Sequence, residues 1–464
     1  MATSGQIKTN TEYDSYFWVE WEQTGSQDIA NNRTQIKWTC GLYSTHKFYS
    51  NAVKMSAFSI NGTRVYSGGT YSNFTAEGKQ TIASGTLWIS HSADGTKTFS
   101  ISSFTGWLYS NHNYSSNGGS FTLTTIPRAS SISCTQANIE GNPTITISRA
   151  HSGFTHTITY AFGTLTGTIR DKTSATVITD WAIPVAFYGQ IPDAKTGKGT
   201  LTCITYNGNT QIGSPTTCEL SVTTDETKCK PTVSGNVVDS NPATVALTGD
   251  AEKCLVRFFS TASCTIDVTL NKSAGSVLLR TINNVSVPSG EDTLVIPNVE
   301  TGVFDFYAKD SREYHDDDKV ERTLVPYVKL TNDATIYRDD PTSGKATLKI
   351  EGNYYDGSFG AESNTLKVEY KVGGGDYIEV TPAIEDNKYS VTVPLSGYDY
   401  QSSFNFEVVV SDKLDRVPKP LTLMKGIPVF DWGENDFRFN VPVAINGVDI
   451  LEKLAELERL ISSL

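Results

Sequence analysis

Apolar and polar residues alternate in short runs throughout this chain. In the run TQIKWTC, Ile36, Trp38 and Cys40 fall on one pleat while Gln35, Lys37 and Thr39 fall on the other. TFSISSF repeats the arrangement with Phe99 and Ile101. A period of two marks a strand with one buried face, because successive side chains point to opposite sides of a sheet. Two turn signals punctuate these runs. Asn61-Gly62 and Asp94-Gly95 are residue pairs that tolerate positive φ at both central positions of a two-residue hairpin loop. The first 127 residues therefore read as a meander or sandwich of strands. The abundance of Tyr (22) and Gly (37) against 3 Met supports the same reading, since Tyr suits a pleated surface and Gly suits tight turns.

A slower rhythm overlies the strands. Pro127, Pro231, Pro326 and Pro418 interrupt the pattern at steps of 104, 95 and 92 residues. Strands that precede two of these breaks share a pattern, Phe304, Phe306, Ala308, Asp310 against Phe406, Val408, Val410, Asp412. A repeat of about 100 residues built of short strands has the size of an immunoglobulin-like sandwich. The predicted fold class is all-β, with tandem β-sandwich domains of jelly-roll and Ig-like type and a short C-terminal coiled-coil helix. The predicted domains are 1–127, 128–228, 229–325 and 326–427, followed by a short β segment and an oligomerising helix over 428–464. Within the second, ITDWAIPVAFYGQI reads as either a short helix or an edge strand.

The helix is LEKLAELERLISSL, preceded by a D-x-x-E capping box of Asp449 and Glu452. Heptad positions place Leu454 and Ile461 at a, and Ile450, Leu457 and Leu464 at d; Leu451 and Leu460 widen the stripe. A helix this short is marginal alone in water, so its apolar face needs cover. It packs either on its own domain or on copies of itself; the broad stripe favours a homotrimer.

Composition narrows the functions. With 38 basic and 50 acidic residues the net charge is −12, which disfavours nucleic acid as a partner. No run of about 18 apolar residues suggests membrane insertion. The amino terminus lacks the features of a secretion signal, and none of the 7 Cys forms a CxxC pair, so free thiols and assembly in a reducing cytoplasm are expected. The six His show no zinc spacing, and no G-x-S-x-G elbow or P-loop is present. The chain is expected to be no enzyme and to need no cofactor or metal. VGGGDY (372–377) reads as a hairpin turn, and Asp316, Asp317 and Asp318 as a solvated loop rather than a cation site. One segment, FTGWLYSNHNYSSNGG, sets Trp107, Tyr109, His112 and Tyr114 among Asn and Ser. Flat rings beside amides and hydroxyls suit sugar rings. The alternative places Trp107 and Tyr109 in the sandwich core.

ISHSADGTKTFSIS (89–102) resembles the H-x-A-D-G-x-K strand-turn-strand segment of tailed-phage virion proteins. AKDSREYHDDDKVERTLVPYVKL, KATLKIEGNYYDGSFGAESNTLKVEYK and PVFDWGENDFRFNVPVAINGVDI are similar to segments of siphophage minor structural proteins of Gram-positive hosts. Glu313 departs from that pattern, which often carries Gly after Asp-Ser-Arg. The resemblance implies a virion protein: a trimeric tail fibre or tail-tip receptor-binding protein. Its expected partners are other virion proteins and host cell-wall polysaccharide. A purely architectural head or collar fibre or decoration protein is the alternative it leaves.

Overall fold

A computed structural model of the chain describes residues 3–25, 27–50, 52–72, 74–108, 112–426, 430–432, 437–439, 444–445 and 448–462. It divides into two compact units, Met1–Cys229 with Lys272–Gly275 and Lys230–Asn271 with Ser276–Leu464. The architecture is all-β, of tandem sandwiches with a short C-terminal helix.

In the first unit, Ser4–Lys8, Ser15–Gln23, Arg33–Ser50 and Phe74–Ser90 pair in that order as one antiparallel sheet. Two shorter sheets complete the sandwich. One runs His112–Ser115, Thr105–Leu108, Val53–Met55, Gly69–Tyr71; the other runs Gly119–Thr122, Thr98–Ile101, Phe58–Ile60, Thr63–Tyr66. Their inner faces share a core in which Phe17, Val19, Trp21, Ile36 and Cys40 meet Met55, Phe58, Phe99, Leu108 and Tyr114. The alternation seen in TQIKWTC is this burial pattern: every second residue loses its water.

The two turn signals end differently. Asn61-Gly62 closes a hairpin, with φ of 50° and 78° and Ile60 paired to Thr63. Asp94-Gly95 does not. The strands on either side of it, Phe74–Ser90 and Thr98–Ile101, lie in different sheets, so the turn is a corner that carries the chain from one layer to the other. Gly95 has φ 82°, and a Cβ there would sit 2.0 Å from the Ile126 carbonyl oxygen. Asp94 accepts hydrogen bonds from Thr96 N and Oγ1 at 3.0 and 2.7 Å.

Residues 131–223 form a second pair of sheets. The ambiguous 178–191 stretch contains a 3-10 helix, Val185–Gln190, whose Phe187 stacks on Phe162 at 4.3 Å.

In the second unit, sheets over 232–325 and over 335–423 enclose separate cores. The shared strand-end pattern has a physical basis. Phe304, Phe306 and Ala308 are buried, as are Phe406, Val408 and Val410, and the aspartate after each triplet binds the turn that follows. Asp310 accepts from the N–H groups of Arg312 and Tyr314 at 3.0 and 2.9 Å. Asp412 accepts from those of Leu414 and Asp415, both at 2.8 Å. Glu313 lies in the first of these turns with φ 64°. A position that would favour Gly is tolerated because Asp310 holds the backbone on both sides of it.

Between the two cores, Tyr327 packs with Val256, Val325, Tyr355 and Phe359. It meets Phe259 edge-on at 5.2 Å and donates its hydroxyl to Asp412 at 2.8 Å.

Two further expectations need correction. Asp316, Asp317 and Asp318 belong to a strand, His315–Glu321, and not to a loop. Alternation turns Asp316 and Asp318 toward the neighbouring strand. There Asp316 binds Lys230 Nζ at 2.7 Å and Asp318 accepts from Gly235 N at 2.8 Å. Pro418 lies inside the strand Arg416–Leu423 and marks no break; that strand is a sheet edge, where a missing N–H costs no ladder bond. VGGGDY does join two paired strands, Lys367–Val372 and Ile378–Val380.

The C-terminal helix spans Ile450–Ser462, and Asp449 caps it by accepting from Leu451 N at 2.9 Å. None of its residues is buried. Leu451, Leu454, Leu457, Leu460 and Ile461 are all more than half exposed, and Ile450 is half-buried. Leu464 lies outside the described residues.

Candidate functional site

The sheet that contains Trp107 sets its residues in cross-strand rows. Thr105–Leu108 pairs with His112–Ser115 on one side and with Val53–Met55 on the other, and Val53–Met55 pairs in turn with Gly69–Tyr71. One row reads Asn113, Trp107, Lys54, Thr70. These four point away from the core; Asn113, Lys54 and Thr70 are exposed and Trp107 is half-buried. The next row reads Tyr114, Gly106, Met55, Gly69, of which the first three are buried. Gly106 permits this closure, since a Cβ there would lie 2.1 Å from the Phe17 ring. The outer face carries a groove of about 600 Å³ lined in part by Lys54, Ser56, Gly68, Thr70, Trp107 and Asn113.

The four sequence-predicted ligand residues do not converge. Trp107 is on the outward face. Tyr114 is 1% exposed, meets Phe17 edge-on at 5.4 Å and donates its hydroxyl to Glu12 O at 3.1 Å. It is a core residue, because it follows Asn113, the cross-strand partner of Trp107, and so takes the opposite pleat. His112 shares a row with the buried Leu108 and Val53. It packs edge-on to Tyr13 at 4.4 Å, with Nδ1 3.7 Å from a Glu12 carboxylate oxygen. Its neighbours there are Ser15, Ser44 and His46, around a recess of about 360 Å³ separate from the Trp107 groove. Tyr109 lies outside the described residues. The companions that Trp107 does have, Lys54 and Thr70, are remote in sequence. Only the strand register reveals them.

Among the described residues, three tryptophans of this sandwich carry a cation over the ring. Lys79 Nζ lies 4.3 Å from the Trp18 centroid, the Arg33 guanidinium 4.5 Å from Trp88, and Lys54 Nζ 4.7 Å from Trp107. In the first two the cation is also bound to a carboxylate: Lys79 to Glu20, and Arg33 to Asp28 at 2.9 Å. Trp18 is thereby closed off, 2% exposed, over Gly41, where a Cβ would strike the indole at 2.7 Å. Among the described residues, no carboxylate pairs with Lys54. Its contact with the ring is worth about 0.5–1 kcal/mol at an exposed position, little enough to exchange for a ligand.

The thiols offer no counterpart in reactivity. Burial pushes Cys40 up to about 12, and Cys203 and Cys264 up to about 11, so they stay protonated at neutral pH. Among the described residues, no helix is long and apolar enough to cross a membrane.

A family described as "Siphovirus protein of unknown function (DUF859)" matches residues 9–281, more than half of the chain. The chain belongs to this siphovirus family. The match spans the Trp107 sheet. No curated protein matches the chain. Solved structures similar to this siphovirus protein include the D1–D4 ectodomain fragment of ICAM-5, at 10% identity over 88% of this chain and 98% of that one, TM-score 0.33. The N-terminal eight Ig domains of Down Syndrome Cell Adhesion Molecule match at 12% identity over 88% and 60%, TM-score 0.22. Three N-terminal domains of the Highly Immunogenic Outer Capsid protein of bacteriophage RB49 match at 10% over 64% and 99%, TM-score 0.21. The chain thus spans about 60% of the length of the adhesion-molecule fragment. At these TM-scores none of the three likenesses carries a functional argument.

Proposed function

We propose that this siphovirus protein is a structural component of the virion that contacts polysaccharide on the surface of a Gram-positive host, as a homotrimeric tail fibre or tail-tip receptor-binding protein without enzymatic activity. The observation that carries this reading is the outward row Asn113, Trp107, Lys54, Thr70. It sets an indole beside an amide, an ammonium and a hydroxyl on a rigid sheet. Sugar rings present apolar C–H faces and hydroxyl rims, and this row offers a partner for each. Three copies held by the uncovered helix stripe would bind a repetitive polymer with avidity that one weak site lacks.

The test is binding of the purified chain to host cells and to extracted wall polysaccharide, with Trp107→Ala as comparator. The native chain is expected to bind and the variant to lose most of that binding. Failure of the intact assembly to bind would leave a purely architectural head or collar role. The packed joint at Tyr327 also suits that second reading, and immunogold position on the particle separates the two.

A further inference from the structure

We propose that the Trp107 groove selects acidic saccharides, stacking a sugar ring on the indole while Lys54 binds that sugar's anionic substituent. This rests on the polysaccharide-binding reading above and narrows its ligand to a chemical class. The contrast among the three tryptophan–cation pairs carries the inference. Glu20 holds Lys79 over Trp18, and Asp28 holds Arg33 beside Trp88. Lys54 has the same seat over Trp107, and among the described residues no carboxylate completes the pair. Its two counterparts each have an anion that the described residues do not give Lys54, and a carboxylate or phosphodiester on the ligand supplies it. Drawing the ammonium toward that group also uncovers the ring for stacking. Asn113 and Thr70, at the two ends of the row, then meet hydroxyls on either side.

The row crosses four strands, roughly 14 Å at the usual strand spacing, a reach that suits a short run of linked sugars. Long-range electrostatics act the other way. A chain of net charge −12 repels polyanions, and at physiological salt only charges within about 8 Å are felt strongly. Preference for an acidic polymer must therefore come from a local cation.

The experiment measures binding of the full chain to polygalacturonate, to the same polymer after carboxyl reduction, and to polyglycerol phosphate. Lys54→Gln, Trp107→Ala and Lys79→Gln are compared with the native chain, and melting curves establish that each is folded. The native chain is expected to bind at least one of the anionic polymers about tenfold or more tighter than the neutral one, the size of a charge-assisted hydrogen bond. Whether the carboxylate or the phosphodiester polymer binds identifies the anion. Lys54→Gln removes the preference and keeps the neutral binding, whereas Lys79→Gln keeps the preference. Equal binding of acidic and neutral polymers by the native chain, or a preference that survives Lys54→Gln, overturns the proposal and leaves the polysaccharide reading standing. Binding of all three polymers undiminished in folded Trp107→Ala would instead remove the groove as the site.

Discussion

His91 donates from Nδ1 to the carbonyl oxygen of Gly95 at 2.7 Å. Because a carbonyl only accepts, that contact fixes the proton on Nδ1. Nε2, 2.8 Å from Thr34 Oγ1, is then the acceptor for that hydroxyl. The H-x-A-D-G-x-K segment is thus a closed device. Asp94 binds Thr96, Gly95 supplies the left-handed corner, and His91 ties that corner to the long strand Arg33–Ser50.

Burial holds His91 below its ordinary value near 6.5, with Lys97 adding to the effect and the Gly95 carbonyl opposing it. His156, fully buried with Nε2 2.9 Å from Ser130 Oγ, is lowered in the same way, chiefly by burial and then by Arg149. Well above pH 6.5 both imidazoles are neutral, folded or unfolded. Below it the unfolded chain takes up protons that the folded chain resists. Stability therefore falls as pH drops from about 6.5 toward the lower folded values. Calorimetric scans between pH 5 and 8 should show transitions of the first unit moving down on the acid side. His91→Gln should flatten part of that slope.

Gly95→Ala should destabilise the first sandwich by about 2–3 kcal/mol, combining a disfavoured φ with a backbone clash at the Ile126 carbonyl. Gly62→Ala is the control. Its φ is 78° but nothing lies within 4 Å of the added Cβ, so the cost should be about 1 kcal/mol. Denaturant midpoints of the two variants measure the difference.

Tyr327 joins two cores through its ring and its hydroxyl. Burial and the Asp412 carboxylate push its phenol far above the usual range, so it remains a donor wherever the protein is folded. Tyr327→Phe should cost about 1 kcal/mol, since Asp412 keeps its bond from Asn364 Nδ2 at 3.0 Å. Tyr327→Ala should cost about 3–5 kcal/mol and broaden the distribution of chain dimensions seen by small-angle scattering.

If copies of the chain cover the exposed helix stripe, Leu454→Glu with Leu457→Glu should lower the solution mass from three chains toward one, with the sandwiches still folded. Light scattering reads the mass and far-UV circular dichroism the fold. An unchanged mass would argue against helix-driven assembly.

Local pattern made the strands and the helix legible. TQIKWTC, the Asn61-Gly62 hairpin, the VGGGDY turn and the Asp449 cap each depend on neighbours a few residues away. What failed depended on distant partners. The corner at Asp94-Gly95 looks like a hairpin because Asp-Gly is a hairpin pair in sequence, yet only Gly95 takes a positive φ there, whereas both Asn61 and Gly62 do; the corner is held by contacts to Thr34 and Ile126. Asp316 to Asp318 look like a loop until Lys230 and Gly235 N are set beside them. Pro418 looks like a break because its tolerance depends on the strand being at an edge. At the candidate site, Trp107 is visible in the sequence but Lys54 and Thr70 are not, and that Tyr114 takes the opposite pleat follows only from the strand register.

That edge strand has a consequence for crowded assembly. Pro418 and Pro420 stand opposite Val409 and Glu407 on the last strand of its sheet. Each deletes a hydrogen-bond donor from the rim of the sandwich. Copies arrayed side by side at high local density therefore find no continuous ladder on which to zip together. The two prolines act as a built-in guard against clumping, leaving lateral association to whatever surface is meant for it.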